Sequence, residues 1–132
     1  ADSQFEERIA ELRRLGCHIA IDDFGTGYAS LTYLRRYEVD VLKIDRSFVA
    51  GLEAGGHDAS IVAAVNSLGL SLNLQVTAEG VETLEQLDLL CQLGCPSVSG
   101  YALCRPIPAA ELTAVLEHTL DDRRSIFTAA RP

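Results

Sequence analysis

Four short apolar runs rich in β-branched residues, separated by segments with helical spacing, constrain this chain more than any other feature. The runs cover residues 18–22, 39–44, 72–78 and 97–103. Strands that alternate with helices pair in parallel, because a parallel neighbour is reached only through a long crossover. Ahead of the first run, Phe5, Ile9, Leu12 and Leu15 recur at helical spacing, and Gly16 reads as the stop. Leu31, Leu34 and the Arg35-Arg36 pair suggest a short helix after it. Asp58 is expected to cap a helix striped by Ile61, Val62, Val65 and Leu68. Thr83 is expected to open a helix through Leu84, Leu87 and Leu90, closed at Gly94-Cys95-Pro96. Pro106 and Pro108 precede a last helix from Ala109 to about Leu120, and residues 121–132 read as a polar, fraying tail.

Two architectures suit four such units: a small open α/β sheet, or a piece of a (β/α)8 barrel. A complete barrel takes about 250 residues, so a chain of 132 residues would be roughly half of one. In both, functional groups gather at the carboxyl ends of the strands. Those ends carry Asp22-Asp23 on the first, Lys43 and Asp45 on the second, and Glu79 and Glu82 on the third. The fourth carries Ser99-Gly100-Tyr101, with Arg105-Pro106 just beyond. Neighbouring side chains on a strand face opposite ways, so Asp22 and Asp23 can converge only where the strand breaks. Gly25 and Gly27 are expected to allow that turn.

Each residue has a plainer explanation. Asp22-Asp23 could start a turn, Lys43 could protect a strand edge, and Glu79 and Glu82 could charge a helix start. Their coincidence at one end of four consecutive strands favours a shared site. Clustered carboxylates select Mg²⁺, Mn²⁺ or Ca²⁺ over zinc. A pair of such ions about 3.5–4 Å apart would clamp the attacking and leaving oxygens of a phosphodiester, with a lysine orienting the water. His18, His57 and His118 stand apart and read as structural or solvated. Cys17, Cys91, Cys95 and Cys104 lack metal or disulfide spacing; they are expected to be buried and reduced, with Cys91 and Cys95 on one helix.

The net charge of −8 argues against a nucleic-acid polymer as partner, which would need a basic patch. A phosphorylated substrate remains compatible if cations lie between it and the acids. No apolar run is long enough to cross a bilayer, and the chain reads as a cytoplasmic domain without membrane contact or leader.

Four stretches together are similar to the EAL domains, the bacterial phosphodiesterases that linearise cyclic di-GMP. They are Asp22-Asp-Phe-Gly-Thr-Gly-Tyr-Ala-Ser-Leu31, Leu42-Lys-Ile-Asp-Arg-Ser-Phe48, Ala78-Glu-Gly-Val-Glu-Thr83, and Gly100-Tyr101 followed by Arg105-Pro106. The resemblance runs in order from about Leu15 to Leu112. It implies the C-terminal half of a (β/α)8 TIM-type barrel over residues 1–120, strands five to eight, with two Mg²⁺ or Mn²⁺ ions at the strand ends of the complete domain.

By that resemblance Asp22 would bridge the metals, Asp23 would bind the second, and Glu79 would ligate a metal or hold its water. Lys43 would contact the nucleophilic water, supported by Asp45 and Glu82. Phe24, Gly25, Thr26, Gly27 and Tyr28 would form the loop that orders the metal site and contributes to dimerisation. Ser99, Gly100, Tyr101, Arg105 and Pro106 would meet the substrate, although Ser99 stands where the family usually has glutamine. The Glu-Ala-Leu signature and the asparagine and glutamate that complete the first metal site have no counterpart here; Glu11-Leu12 lies in a helical segment. The resemblance therefore implies an isolated chain that pairs with the other half-barrel or with a second copy, and that does not turn over cyclic di-GMP appreciably. A non-catalytic module binding cyclic di-GMP or a protein is the alternative.

Overall fold

The computed structural model describes residues 2–26, 30–54 and 56–121. The elements run α1 (Asp2–Arg14), β1 (Ala20–Phe24), α2 (Ser30–Arg36), β2 (Val41–Ile44), α3 (Arg46–Ala50), a 3₁₀ turn (Leu52–Ala54), α4 (His57–Ser71), β3 (Gln75–Ala78), α5 (Leu84–Gln92), β4 (Ser97–Val98) and α6 (Ala109–Asp121). The strands form one parallel sheet in the order β1-β2-β3-β4. Sequence order equals spatial order, as the crossover helices require.

Burial is one-sided. In β2, Leu42 and Ile44 are fully buried, and they stand opposite Val76 and Ala78 of β3. Val49 of α3, Val62 and Val65 of α4 and Leu90 of α5 complete this core. Burying side chains of this size stabilises by about 1.5–3 kcal/mol each. The alternate residues Val41, Lys43 and Thr77 are only half-buried, and Gln75 is exposed. Helices thus cover one face of the sheet and leave the other open, as on the inner wall of a barrel. Ile21 pairs with Leu42 and packs on the helix-covered core.

Local chemistry explains most boundaries. After α1 the chain reverses at Gly16 (φ 84°), and the Cys17 amide donates to the Leu12 carbonyl at 3.0 Å. The Thr83 hydroxyl accepts from the Gln86 amide, and the Gln86 side chain reaches back to the Thr83 amide, a complete capping box for α5. Gly94 (φ 73°) turns the chain away beyond α5.

Several expectations are corrected. The strands are shorter and shifted, at 20–24, 41–44, 75–78 and 97–98. The fourth stops early because Gly100 presses on backbone: a Cβ there would lie 2.2 Å from the Val81 nitrogen and oxygen. Beyond it the chain turns, with the Leu103 amide on the Gly100 carbonyl at 3.1 Å. Asp58 does not cap α4, whose N-cap is Gly56; Asp58 lies in the first turn with its carboxylate against Gly51. Cys91 is in α5 but Cys95 lies past its end, and the thiols are not uniformly buried: Cys17, Cys91 and Cys104 are exposed and Cys95 is half-buried.

At the other end of the sheet, Asp40 accepts from the Ile19 amide at 2.7 Å and from Arg13 at 2.8 Å, tying α1 to the start of β1. The Ile19 hydrogen bond, then Arg13, holds the Asp40 carboxyl below the usual range. A depressed carboxyl stabilises the fold fully above its ordinary value, about 3.9. That contribution disappears as pH falls through the lower folded value. Urea melts between pH 7 and 3 should show wild type losing more stability below pH 4 than Asp40→Asn; equal acid limbs would contradict this role.

Candidate functional site

The carboxyl ends of β1, β2 and β3 bring Asp22, Lys43 and Glu79 together. The Lys43 ammonium lies 3.1 Å from Asp22 Oδ1 and 2.6 Å from Glu79 Oε1, crossing from β2 to both neighbours. These contacts, Glu79 first and then Asp22, raise the lysine above its ordinary value. It is an ammonium throughout the neutral range.

A bulge in β1 brings the adjacent aspartates to one side. Ile21 pairs with Leu42 and Phe24 with Ile44, so three steps along β1 match two along β2. Without the extra residue, Asp23 would stand opposite buried Ile44. With it, Phe24 takes that position in the core, 5% exposed, and both aspartates stay outside. Asp23 itself adopts φ 51°, in the left-handed region that Asp and Asn tolerate better than most residues. The expected glycine turn is therefore not what makes the carboxylates converge. Gly25 (φ 106°) has a separate role: its Cα faces the Phe48 ring so closely that a Cβ would lie 2.7 Å from Phe48 Cε2. Thr26 closes the turn, its hydroxyl donating to the Asp23 carbonyl at 2.9 Å. Gly27 and Tyr28 lie outside the described residues.

Asp45 caps α3, accepting from the Ser47 amide at 3.0 Å and from the Ser47 hydroxyl. Those bonds hold its carboxyl below the usual range. Asp23 is pushed the other way, by loss of hydration at the crowded cleft first, then by the charges of Asp22 and Asp45, a hydrogen bond shared with Asp45, and the charge of Glu79. Of this acid pair, Asp23 retains a proton more readily.

Beside these groups opens a cleft of about 580 Å³. Asp23, Asp45, Glu79 and Glu82 line its acidic side, and Ser99, Gly100, Tyr101, Arg105 and Pro106 line the rest. Arg105 stacks over the Tyr101 ring at 5.0 Å. Of the anticipated residues, Asp22 and Lys43 stand next to this cleft, and Phe24, Gly25 and Thr26 form the turn behind it. Arg46, Gly80 and Cys104 also line it and were not singled out from the sequence. The Asp45-Arg-Ser47 cap motif could have pointed to Arg46.

The donors suit a hard divalent cation: all are carboxylates, with no thiol or imidazole among them. Among the described residues, no three acidic, thiol or imidazole groups converge as a ready cage. Lys43 lies between Asp22 and Glu79.

A family model described as "EAL domain" matches residues 1–106. The chain is 50% identical over 106 residues to the bifunctional diguanylate cyclase/cyclic di-GMP phosphodiesterase MucR of Pseudomonas aeruginosa, covering 80% of this chain and 16% of that protein. The crystal structure of the EAL domain of Mycobacterium smegmatis DcpA superposes with a TM-score of 0.81 at 41% identity, covering 88% of this chain and 52% of that one. A manganese/cyclic di-GMP complex of Klebsiella pneumoniae BlrP1 superposes at 0.75 with 38% identity, over 80% of this chain and 27% of that one. The chain therefore spans about half of the solved EAL domain and a smaller part of the longer proteins. Among the described residues no helix is long and apolar enough to cross a membrane.

Proposed function

This chain belongs to the EAL-domain family, and we propose that it is the C-terminal part, residues 1–120 with a tail at 121–132, of a domain that hydrolyses cyclic di-GMP to linear pGpG. The observation that carries this reading is the strand-end cluster: Lys43 ion-paired to both Asp22 and Glu79, with Asp23 and Asp45 alongside at the cleft. Relatives of the family have been solved with manganese and cyclic di-GMP, which supports two Mg²⁺ or Mn²⁺ ions here when the ligand set is complete. Asp22, Asp23 and Glu79 would hold them. Bound there, the ions would supply electrophilic stabilisation of the phosphodiester and an activated water.

The chain's own residues divide the remaining work. Lys43, held as an ammonium, donates a hydrogen bond that can orient the water; it does not remove a proton. Asp45 fixes the start of α3 beside Asp23. Glu82, Ser99, Tyr101, Arg105 and Pro106 shape the substrate's side of the cleft. The open sheet face would be covered by the N-terminal half of the barrel, or in its absence by a second copy, in the cytoplasm.

The test is product analysis with Mn²⁺. The full-length protein carrying this chain should convert cyclic di-GMP to linear pGpG, and the 132-residue chain alone should not do so appreciably. Binding without turnover by the full-length protein would support a non-catalytic module instead; neither binding nor turnover would overturn the reading.

A further inference from the structure

We propose that Arg46 is a substrate-binding residue whose guanidinium holds a phosphate of the cyclic dinucleotide, an inference that rests on the function proposed above. Arg46 is exposed and lines the cleft together with Asp23, Asp45, Glu79 and Glu82. Yet among the described residues it forms no ion pair with any of them. The cations at this site thus differ, Arg105 being stacked over the Tyr101 ring. Lys43 is bound between two carboxylates, whereas Arg46 brings an uncompensated positive charge to the same opening.

Its root is held in place. Gly80 (φ 74°), directly after Glu79, lies so close that a Cβ there would be 2.5 Å from Arg46 Cβ and 3.4 Å from its Cα. Any larger residue at position 80 would drive the two segments apart. The preceding residue, Asp45, is engaged by Ser47 and Asp23. The stem of Arg46 is therefore anchored on both sides while its head is available.

The chemistry of that head selects the ligand. A guanidinium repels a metal ion, so its partner is an anion, and the anionic groups of cyclic di-GMP are its two phosphodiesters. Five N–H donors in a planar fork match two non-bridging phosphate oxygens. The same fork can instead take the O6/N7 edge of guanine, and the salt dependence of binding separates the two.

Titration calorimetry of the full-length protein with cyclic di-GMP in Ca²⁺ tests the assignment. Arg46→Ala keeps the Cβ that meets Gly80 and should weaken binding by about tenfold to a hundredfold. It should also flatten the slope of log Kd against log salt by about one, as loss of a phosphate contact does. Arg46→Gln, which keeps the stem but not the charge, should give the same slope and serves if the alanine variant melts early. Weaker binding with an unchanged slope would overturn the phosphate contact in favour of a base contact. Unchanged binding would overturn the role of Arg46 alone. Failure of the wild type to bind would overturn the proposed function, and this inference with it.

Discussion

Replacing Lys43 with alanine in the full-length protein is expected to lower turnover of cyclic di-GMP by about 10²-fold, the order lost when a reacting group is misplaced by about 1 Å, with binding largely kept. Among the described residues, the ammonium is the one group that touches both Asp22 and Glu79, at 3.1 and 2.6 Å. Without it, the two carboxylates lose the donor that sets their spacing across three strands, and the water loses its hydrogen bond. Arginine should not restore the rate, because a planar fork cannot replace a compact ammonium between two acids on adjacent strands. Steady-state kinetics beside equilibrium binding would check this split. A Lys43→Ala protein that kept more than a tenth of wild-type turnover would remove Lys43 from the chemistry.

The second large effect is expected at Asp23. Asn tolerates a φ of 51° as Asp does, so Asp23→Asn should preserve the bulge and the fold. The Asp23 carboxyl is already held above its usual range by loss of hydration and the charges of Asp22, Asp45 and Glu79. Losing its charge should therefore leave the melting temperature equal or slightly higher without metal. In Mn²⁺ the outcome reverses: wild type should gain stability by binding the ion in its folded state, and the variant should gain little. Turnover should fall by about 10²-fold or more, the order of effect of losing one stabilising group of a charged transition state. Asp23→Ala is the wrong comparison, because alanine at this φ adds about 1 kcal/mol of backbone cost. An Asn variant with an undiminished Mn²⁺-induced shift would exclude Asp23 as a ligand.

The features written in local chemistry could be read directly from the sequence. Thr83 and Gln86 form the capping box at the expected start of α5, and Gly16 and Gly94 turn the chain where the helical spacing stops. The parallel order of the strands follows from their alternation with helices. Features that depend on neighbours could not be read this way. The convergence of Asp22 and Asp23 depends on Phe24 standing opposite Ile44, a register visible only once two strands are paired. The early end of β4 depends on Gly100 meeting the Val81 backbone, although 97–103 reads as one apolar run. Arg46 gains its place through contact with Gly80, more than thirty positions away in sequence. Asp58 looked like a cap by residue type, but the N-cap is Gly56, two residues earlier than that reading placed it.

The proposed function makes the strand-end carboxylates the metal-binding wall of a phosphodiesterase centre. Anomalous diffraction at the manganese edge, from crystals of the full-length protein with Mn²⁺ and cyclic di-GMP, tests it most directly. Manganese peaks are expected within bonding distance of Asp22, Asp23 or Glu79, with a phosphate of the dinucleotide beside them and Lys43 released from at least one carboxylate. Fully ordered density with no manganese at these residues, and Lys43 still paired to both Asp22 and Glu79, would contradict it.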